Sequence, residues 1–320
     1  MISVVIPNWN GEAILPACLD SLRAQTYRDF EVLVVDNAST DGSRALVRER
    51  YPEVRLLELP ENRGLTGGVN AGIREAQGEY IAFLNNDTEV HPQWLSALAQ
   101  ALEEHPEAGS VASKMLLFDR RDVLHSAGDF YRRDGIPGNR GVWQADQEAY
   151  NRPGWVFGAC GGAMAVRRAM LEDVGLLDED LFMYCEDVDL AWRAQLAGYR
   201  CWYEPRAVVY HRLSATGGGP LASYYTGRNT ILVWLKDYPG PLMRRDWPAF
   251  LRAQARIAAD ALRAWRGAAA RARLRGQWAA LAQVPRWWRK RRQVQATRRV
   301  PLEYLESILE PPGGPRTPRR

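Results

Sequence analysis

Five short apolar runs alternate with helical patterns over the first 114 residues, and this alternation leaves few folds open. Residues 2–7, 31–36, 54–59, 80–84 and 109–114 read as strands. Between them, 12–24, 44–51, 67–76 and 92–105 read as helices; in the first, Ile14, Leu15, Cys18, Leu19 and Leu22 share one face. Apolar strands separated by helices imply a mostly parallel sheet covered on both faces. From 115 to 153 turn residues dominate, which predicts hairpins or a flap. Helices are expected again at 168–174, 187–197 and 224–235, and short strands at 200–203 and 207–210. Beyond Pro239 the chain turns Arg-, Ala- and Trp-rich and helical to about Arg299. The last ten residues, rich in Pro, Gly and Arg, read as disordered.

Net charge sharpens the division. Residues 1–240 hold 23 Lys+Arg and 33 Asp+Glu, whereas 241–320 hold 19 and 5. An acidic body with a basic tail predicts an anionic partner for the tail. Four cysteines without CxxC spacing argue against a zinc site or a disulfide framework, so a reduced, cytosolic setting is the default. The N-terminus passes straight into a strand, unlike a signal peptide. No apolar run reaches the ~18 residues of a bilayer span.

Candidate chemistry gathers at strand ends, where open α/β sheets bind ligands. Asp36 ends an apolar run and is suited to a base or ribose, or to a plain Asx turn. Glycines within 62–72 can admit a phosphate near a helix start, or serve only tight packing. Asn85, Asn86 and Asp87 end the strand at 80–84. One carboxylate suffices for Mg²⁺ or Mn²⁺ only if a diphosphate adds oxygens; the alternative is a helix cap. In 183–193, Asp189 and Arg193 have the spacing of an ion pair on a helix. Glu186 and Asp187 suit either a helix dipole or a site wall with Asp187 as base. His211 follows an apolar run and precedes a glycine loop, a place that suits either a structural histidine or one exposed enough to ligate a metal.

In series, IPNWNG (6–11), VVDNASTDGS (34–43), NRGLTGGVNAGIREAQGEYIAFLNNDTEV (62–90), GGAMAVRR (161–168), EDVDLAWR (186–193) and HRLSATGG (211–218) resemble the family-two inverting glycosyltransferases of GT-A fold, nearest the rhamnosyltransferase-like branch. The resemblance implies an α/β GT-A domain over 1–238, with a nucleotide-sugar part to 114 and an acceptor and catalytic part beyond. A basic helical extension over 239–300 and a largely disordered tail over 301–320 follow. It assigns the nucleotide sugar to Pro7, Asn8, Asn10, Asp36, Asn37, Arg63, Gly64, Asn70, Asn86 and Arg228, with Asn229 beside Arg228 at the diphosphate. It assigns the acceptor to Trp155, Gly162 and Glu186, the metal, Mg²⁺ or Mn²⁺, to Asp87 and His211, and the base to Asp187. Asn85 and Asn86 depart from the family's more acidic metal motif.

The implied reaction moves a sugar, rhamnose in that branch, from a nucleoside diphosphate to a hydroxyl of a glycan or lipid-linked acceptor for cell-surface polysaccharide. A sugar-phosphate nucleotidyltransferase would want basic residues near IPNWNGEA, which has none. A non-catalytic relative would not need Asp87, Asp187 and His211 together. Nucleic-acid binding by the tail lacks any recognised module. The basic helices are instead expected to rest on the anionic cytoplasmic face of a membrane, with Trp265, Trp278, Trp287, Trp288 and Arg289–Arg292 at the headgroups. Packing on the catalytic domain, or a homodimer contact, is the competing use of the same stripe.

Overall fold

β1 (Ile2–Asn8), α1 (Leu15–Arg23), β2 (Phe30–Asp36), α2 (Ser43–Arg50), β3 (Arg55–Glu58), α3 (Gly64–Glu75) and β4 (Tyr80–Leu84) open the computed structural model, which describes residues 1–213 and 218–313. β5 (Thr88–Val90), α4 (Trp94–Glu104), β6 (Ala108–Leu117), β7 (Leu124–Ala127), β8 (Asp129–Tyr131), β9 (Pro137–Asn139), β10 (Gly154–Val156) and β11 (Ala163–Arg167) continue it. Then come α5 (Arg168–Val174), α6 (Glu186–Ala197), β12 (Arg200–His211), α7 (Gly219–Asp237), α8 (Gly240–Arg263), α9 (Ala268–Ala296) and α10 (Leu302–Ser307).

The main sheet runs in the order β10-β12-β6-β11-β4-β1-β2-β3, with β5 on β12 and β7 on β6. β1, β2, β3 and β4 are mutually parallel, so their carboxyl ends lie along one edge. Alternate residues of β1 feed opposite layers: Ile2, Val4 and Ile6 pack with α1 and α4, while Val5 packs with α3. The α/β GT-A expectation holds. Three details differ from the sequence reading. β11 is an antiparallel strand wedged between β4 and β6, unforeseen because its segment lacks the β-branched run that marks a strand. The two short strands expected at 200–203 and 207–210 are one strand, β12, with a register shift between Glu204 and Val208. The sequence assigns 301–320 to a largely disordered tail, and residues 301–313 differ. They instead carry α10, and Leu305 and Leu309 are buried in a third core with Trp192, Tyr238 and Trp287. Residues 314–320 lie outside the described residues.

That third core ties the basic helices to the catalytic body. α9 crosses α7 so closely that a Cβ on Gly276 would strike the Tyr224 carbonyl. Trp287 is fully buried, with the Lys236 and Lys290 ammonium groups 5.3 and 4.8 Å from its ring. Of the cluster expected at a membrane, Lys290 pairs with Asp178 and Asp180, and Arg291 donates to the Leu235 and Tyr238 carbonyls at 2.9 and 2.7 Å. Trp287, Lys290 and Arg291 are therefore structural. Burying a Trp and satisfying two helix-end carbonyls outweighs exposure of the same groups.

Candidate active site

The carboxyl ends of β2, β1 and β4 are joined by a row of buried side chains. Asn86 Nδ2 donates to Asn8 Oδ1 at 2.8 Å, and Asn8 Nδ2 to Asp36 Oδ2 at 3.3 Å. Asp36 Oδ1 accepts from the Ser39 amide and faces Arg44 Nε, both at 3.0 Å. Asp36 thus shapes the 37–43 turn. Asn10, with φ of 51°, accepts from the Thr40 amide at 2.8 Å. Asn37 bridges the Arg63 amide and the Gly64 carbonyl. Arg63 pairs with Glu179 at 2.6 Å, and Asn70 exchanges bonds with Leu177 while also reaching Glu179. Gly64 has φ of 71°, and a Cβ there would meet Phe182 at 2.5 Å, so glycine is required at this approach.

Asn86 and Asp87 open into a cavity of about 370 Å³, which Pro7, Gly162, Glu186, Asp187 and His211 also line. The structure adds residues the sequence reading missed: His125, Asp129, Cys160, Gly161 and Tyr184. His125 and Asp129 lie in the turn-rich segment, where only the short apolar pair Val123-Leu124 hints at a strand.

His211 comes to Asp87 because β12 pairs with β5, His211 opposite Thr88, and the Arg212 amide donates to the Asp87 carbonyl at 2.9 Å. His211 Nε2 stands 3.1 Å from Asp87 Oδ1, yet that buried oxygen receives no hydrogen bond. The contact is close without being aligned. On its other side, His211 Nδ1 lies 3.1 Å from His125 Nδ1. Burial, then the neighbouring His211, drives the His125 pKa down to about 3, so His125 is neutral. A proton on His211 Nδ1, donated to His125, leaves the Nε2 lone pair facing Asp87 Oδ1. An orphaned carboxylate oxygen and an imidazole lone pair converging on one point fit a divalent cation with two protein ligands. No group of three or more His, Cys, Asp or Glu suited to a metal occurs among the described residues, so such an ion needs substrate oxygens to complete its shell.

Asp187 sits in the first turn of α6. Its Oδ2 accepts from the Gly161 amide at 2.9 Å and its Oδ1 from the Val188 amide at 2.8 Å. Burial raises its pKa, and these backbone donors oppose the rise. Glu186 is raised by burial and then by the charge of Asp187, and its Oε2 has no partner. Asp129 is raised by burial and again by Asp187. Burial thus favours the protonated form of all three carboxyls, and the backbone donors to Asp187 work against it, so Asp187 is the one of the three held readiest to lose its proton.

The segment delivering Asp187 is strained. Phe182, Tyr184 and Cys185 all have φ near +65°, a region non-glycine residues rarely adopt. Asn229 holds it, donating to the carbonyls of Leu181, Met183 and Tyr184 at 3.0, 2.9 and 2.7 Å. Arg228 donates to those of Asp180 and Leu181. Arg228 and Asn229, which the resemblance assigns to the diphosphate, thus hold the 180–184 backbone in this structure, with Arg228 Nε donating to Asn229 Oδ1 at 2.8 Å. Trp155 is also displaced from its expected acceptor role. It lies on β10 outside this cavity, edge-on to Trp202 at 4.9 Å and under the Arg200 guanidinium at 3.7 Å. The Asp189–Arg193 pair forms as expected, at 2.9 Å, with Lys236 on the other carboxylate oxygen. Residues 214–217, within the glycine-loop motif, lie outside the described residues.

The cavity at the carboxyl edge of the sheet lies where open α/β sheets bind ligands, and the sequence places the chain among known proteins. The chain belongs to glycosyl transferase family 2, whose family model matches residues 3–175. It is a glycosyltransferase that uses a nucleotide sugar. It is 31% identical over 264 residues to an N-acetylglucosaminyl-diphospho-decaprenol L-rhamnosyltransferase of Mycobacterium tuberculosis, covering 74% of this chain and 84% of that one. It is 31% identical to an O-antigen biosynthesis protein of Myxococcus xanthus over 73% of this chain but 19% of that protein. Among solved structures, a mannosyltransferase of Pyrobaculum calidifontis in complex with GDP-Man and Mn²⁺ superposes with a TM-score of 0.57 at 22% identity, over 92% of this chain and 85% of that one. GalNAc-T7 with UDP, GalNAc and Mn²⁺ gives 0.63 at 17%, over 78% and 49%. These two likenesses bear on the fold.

Proposed function

We propose that this protein is an inverting, metal-assisted rhamnosyltransferase that acts on a lipid-linked acceptor in cell-surface polysaccharide assembly. The observation that carries the reading is one cavity lined both by Asp87, with an orphaned carboxylate oxygen beside His211, and by Asp187, a buried carboxyl aimed by two backbone amides. The mycobacterial relative, named for rhamnosyl transfer to a prenyl-diphosphate sugar, supports the choice of sugar and acceptor.

Asp187 takes the proton of the acceptor hydroxyl as its oxygen bonds to the anomeric carbon. The bond from that carbon to the phosphate oxygen breaks, and the nucleoside diphosphate leaves with the electron pair. One displacement inverts the centre and needs no carboxylate nucleophile. Gly161 and Val188 aim Asp187, while neutral Glu186 and Asp129 add no competing charge. Asp87 and His211 would hold a divalent cation at the diphosphate end, and that cation would supply charge to offset that gained by the leaving phosphates. In a donor panel, nucleoside diphosphate release with a prenyl-diphosphate N-acetylglucosamine is expected to be at least ~10-fold faster from a rhamnosyl donor than from glucosyl or mannosyl donors, the discrimination a fitted pocket supplies. Equal or faster release from another sugar would reject the rhamnosyl assignment.

Docking on the inner membrane face belongs to the same reading. No helix of the described residues is long and apolar enough to cross a membrane. α8 nevertheless buries Leu242, Phe250 and Ala253 while exposing Trp247, Leu251 and Leu262. At 3.6 residues per turn these last three fall within about 60° of one another. Trp265 and Trp278 are 60% and 72% exposed, and Arg252, Arg256, Arg275, Arg289 and Arg292 are exposed alongside. At about 1 kcal/mol each on an anionic surface, five arginines support reversible docking. Full-length protein is expected to float with anionic vesicles at low salt, to release at high salt, and to ignore neutral ones. Flotation that ignores lipid charge, or self-association without vesicle binding, would assign the stripe to another use.

A further inference from the structure

A second cavity, of about 450 Å³, adjoins the catalytic one, and Pro137 and Thr226 line both. Its walls are mainly apolar, with Ile257 and Ala261 from α8, Ala269 and Ala270 from α9, and Ile136 before β9. One cation enters it. Arg273 of α9 is half-buried and takes no hydrogen bond or ion pair among the described residues. Its charge reaches the Cys185 thiol on the wall of the catalytic cavity. Asp260, also on the groove, is engaged by Arg263 at 2.7 Å. The neighbouring arginine on α7, Arg228, is bound to backbone carbonyls, so Arg273 is the cation left to meet a ligand here.

We propose that this groove binds the diphosphate and first isoprenoid units of a prenyl-diphosphate-linked acceptor, with Arg273 holding the phosphates. The proposal deepens the lipid-linked reading given above and rests on it. A half-desolvated guanidinium that forms no ion pair among the described residues is costly, and its planar fork matches two phosphate oxygens. Apolar walls beside such a group suit a hydrocarbon chain attached to that phosphate, and a free nucleotide or sugar phosphate has no use for them. An acceptor sugar with its hydroxyl at Asp187 would direct its anomeric phosphate across the shared Pro137–Thr226 boundary. The chain would then run between α8 and α9, which expose Trp247 and Trp278, with Trp265 exposed on the turn that joins them.

Farnesyl diphosphate is a probe that needs no sugar assignment. Its binding to the full chain would be measured by calorimetry in EDTA, so that no metal-held phosphate contributes. Arg273→Gln is expected to weaken binding by ~10–100-fold, the value of a charged hydrogen-bonded contact, and Arg273→Lys to restore part of it. Ile257→Glu is expected to weaken binding comparably, with thermal midpoints reporting that each variant is folded. Wild type that fails to bind farnesyl diphosphate, or Arg273→Gln that binds it equally well, would overturn the proposal; so would inorganic pyrophosphate binding as tightly, which would leave the apolar walls unused. Failure of the lipid-linked reading has a different signature: binding through Arg273 intact, but no sugar transferred to prenyl-diphosphate N-acetylglucosamine from any donor.

Discussion

Asp187→Asn is expected to lower the rate of sugar transfer by ~10²–10⁴-fold, the range a positioned general base supplies, with donor affinity little changed. The amide keeps an oxygen for the Gly161 or Val188 amide, so the first turn of α6 has no reason to unfold. The same residue sets the acid side of the pH profile. Burial raises its pKa, and the base works only when deprotonated, so wild-type activity should fall as pH drops through a value above the ordinary carboxylate range. In Asp187→Asn the small remaining rate should lose that limb. Near-normal turnover in the variant, or an acid limb that persists unchanged, would remove Asp187 from the base position.

Asp87→Ala should act at the other end of the cavity. Loss of one of two protein ligands is expected to weaken metal-dependent donor binding by ~10²-fold, at or beyond the upper end of the 10–100-fold typical of outer-shell partners. Stability should not fall with it. Asp87 Oδ1 is buried without a hydrogen bond, and removing an unsatisfied buried carboxylate relieves a cost. Thermal midpoints at or above wild type, together with lost donor binding, separate this function from a structural one. A variant that unfolds would mark the Asp87–His211 contact as structural, and donor affinity indifferent to EDTA in wild type would remove the metal.

The sheet was legible in the sequence where apolar runs and helical spacing agreed, as in β1, β2 and β4 with α1 and α4. β11 was not, because Ala163–Arg167 sits in a glycine-flanked motif without β-branched alternation, and its antiparallel pairing depends on β4 and β6, far away in sequence. Asp87, Asp187 and His211 were legible as residue types at strand and helix ends. Their meeting in one cavity depends on β12 returning to β5. The roles of Arg228 and Asn229 were not legible, since which way a side chain leaves α7 is fixed by the strained 182–185 segment it faces. Composition showed the basic tail but not its division of labour. Trp287, Lys290 and Arg291 stabilise the fold, whereas Trp265, Trp278 and Arg289 face outward.

On this reading the two ends of the cavity do separate work, donor diphosphate at Asp87 and His211, proton removal at Asp187. Calorimetry of the preferred donor with Mn²⁺, run in parallel on wild type, Asp187→Asn and Asp87→Ala, tests it most directly. Wild-type affinity is expected in Asp187→Asn, and a ~10²-fold loss in Asp87→Ala that EDTA reproduces in wild type. Equal losses in the two variants, or the loss in Asp187→Asn alone, would contradict it.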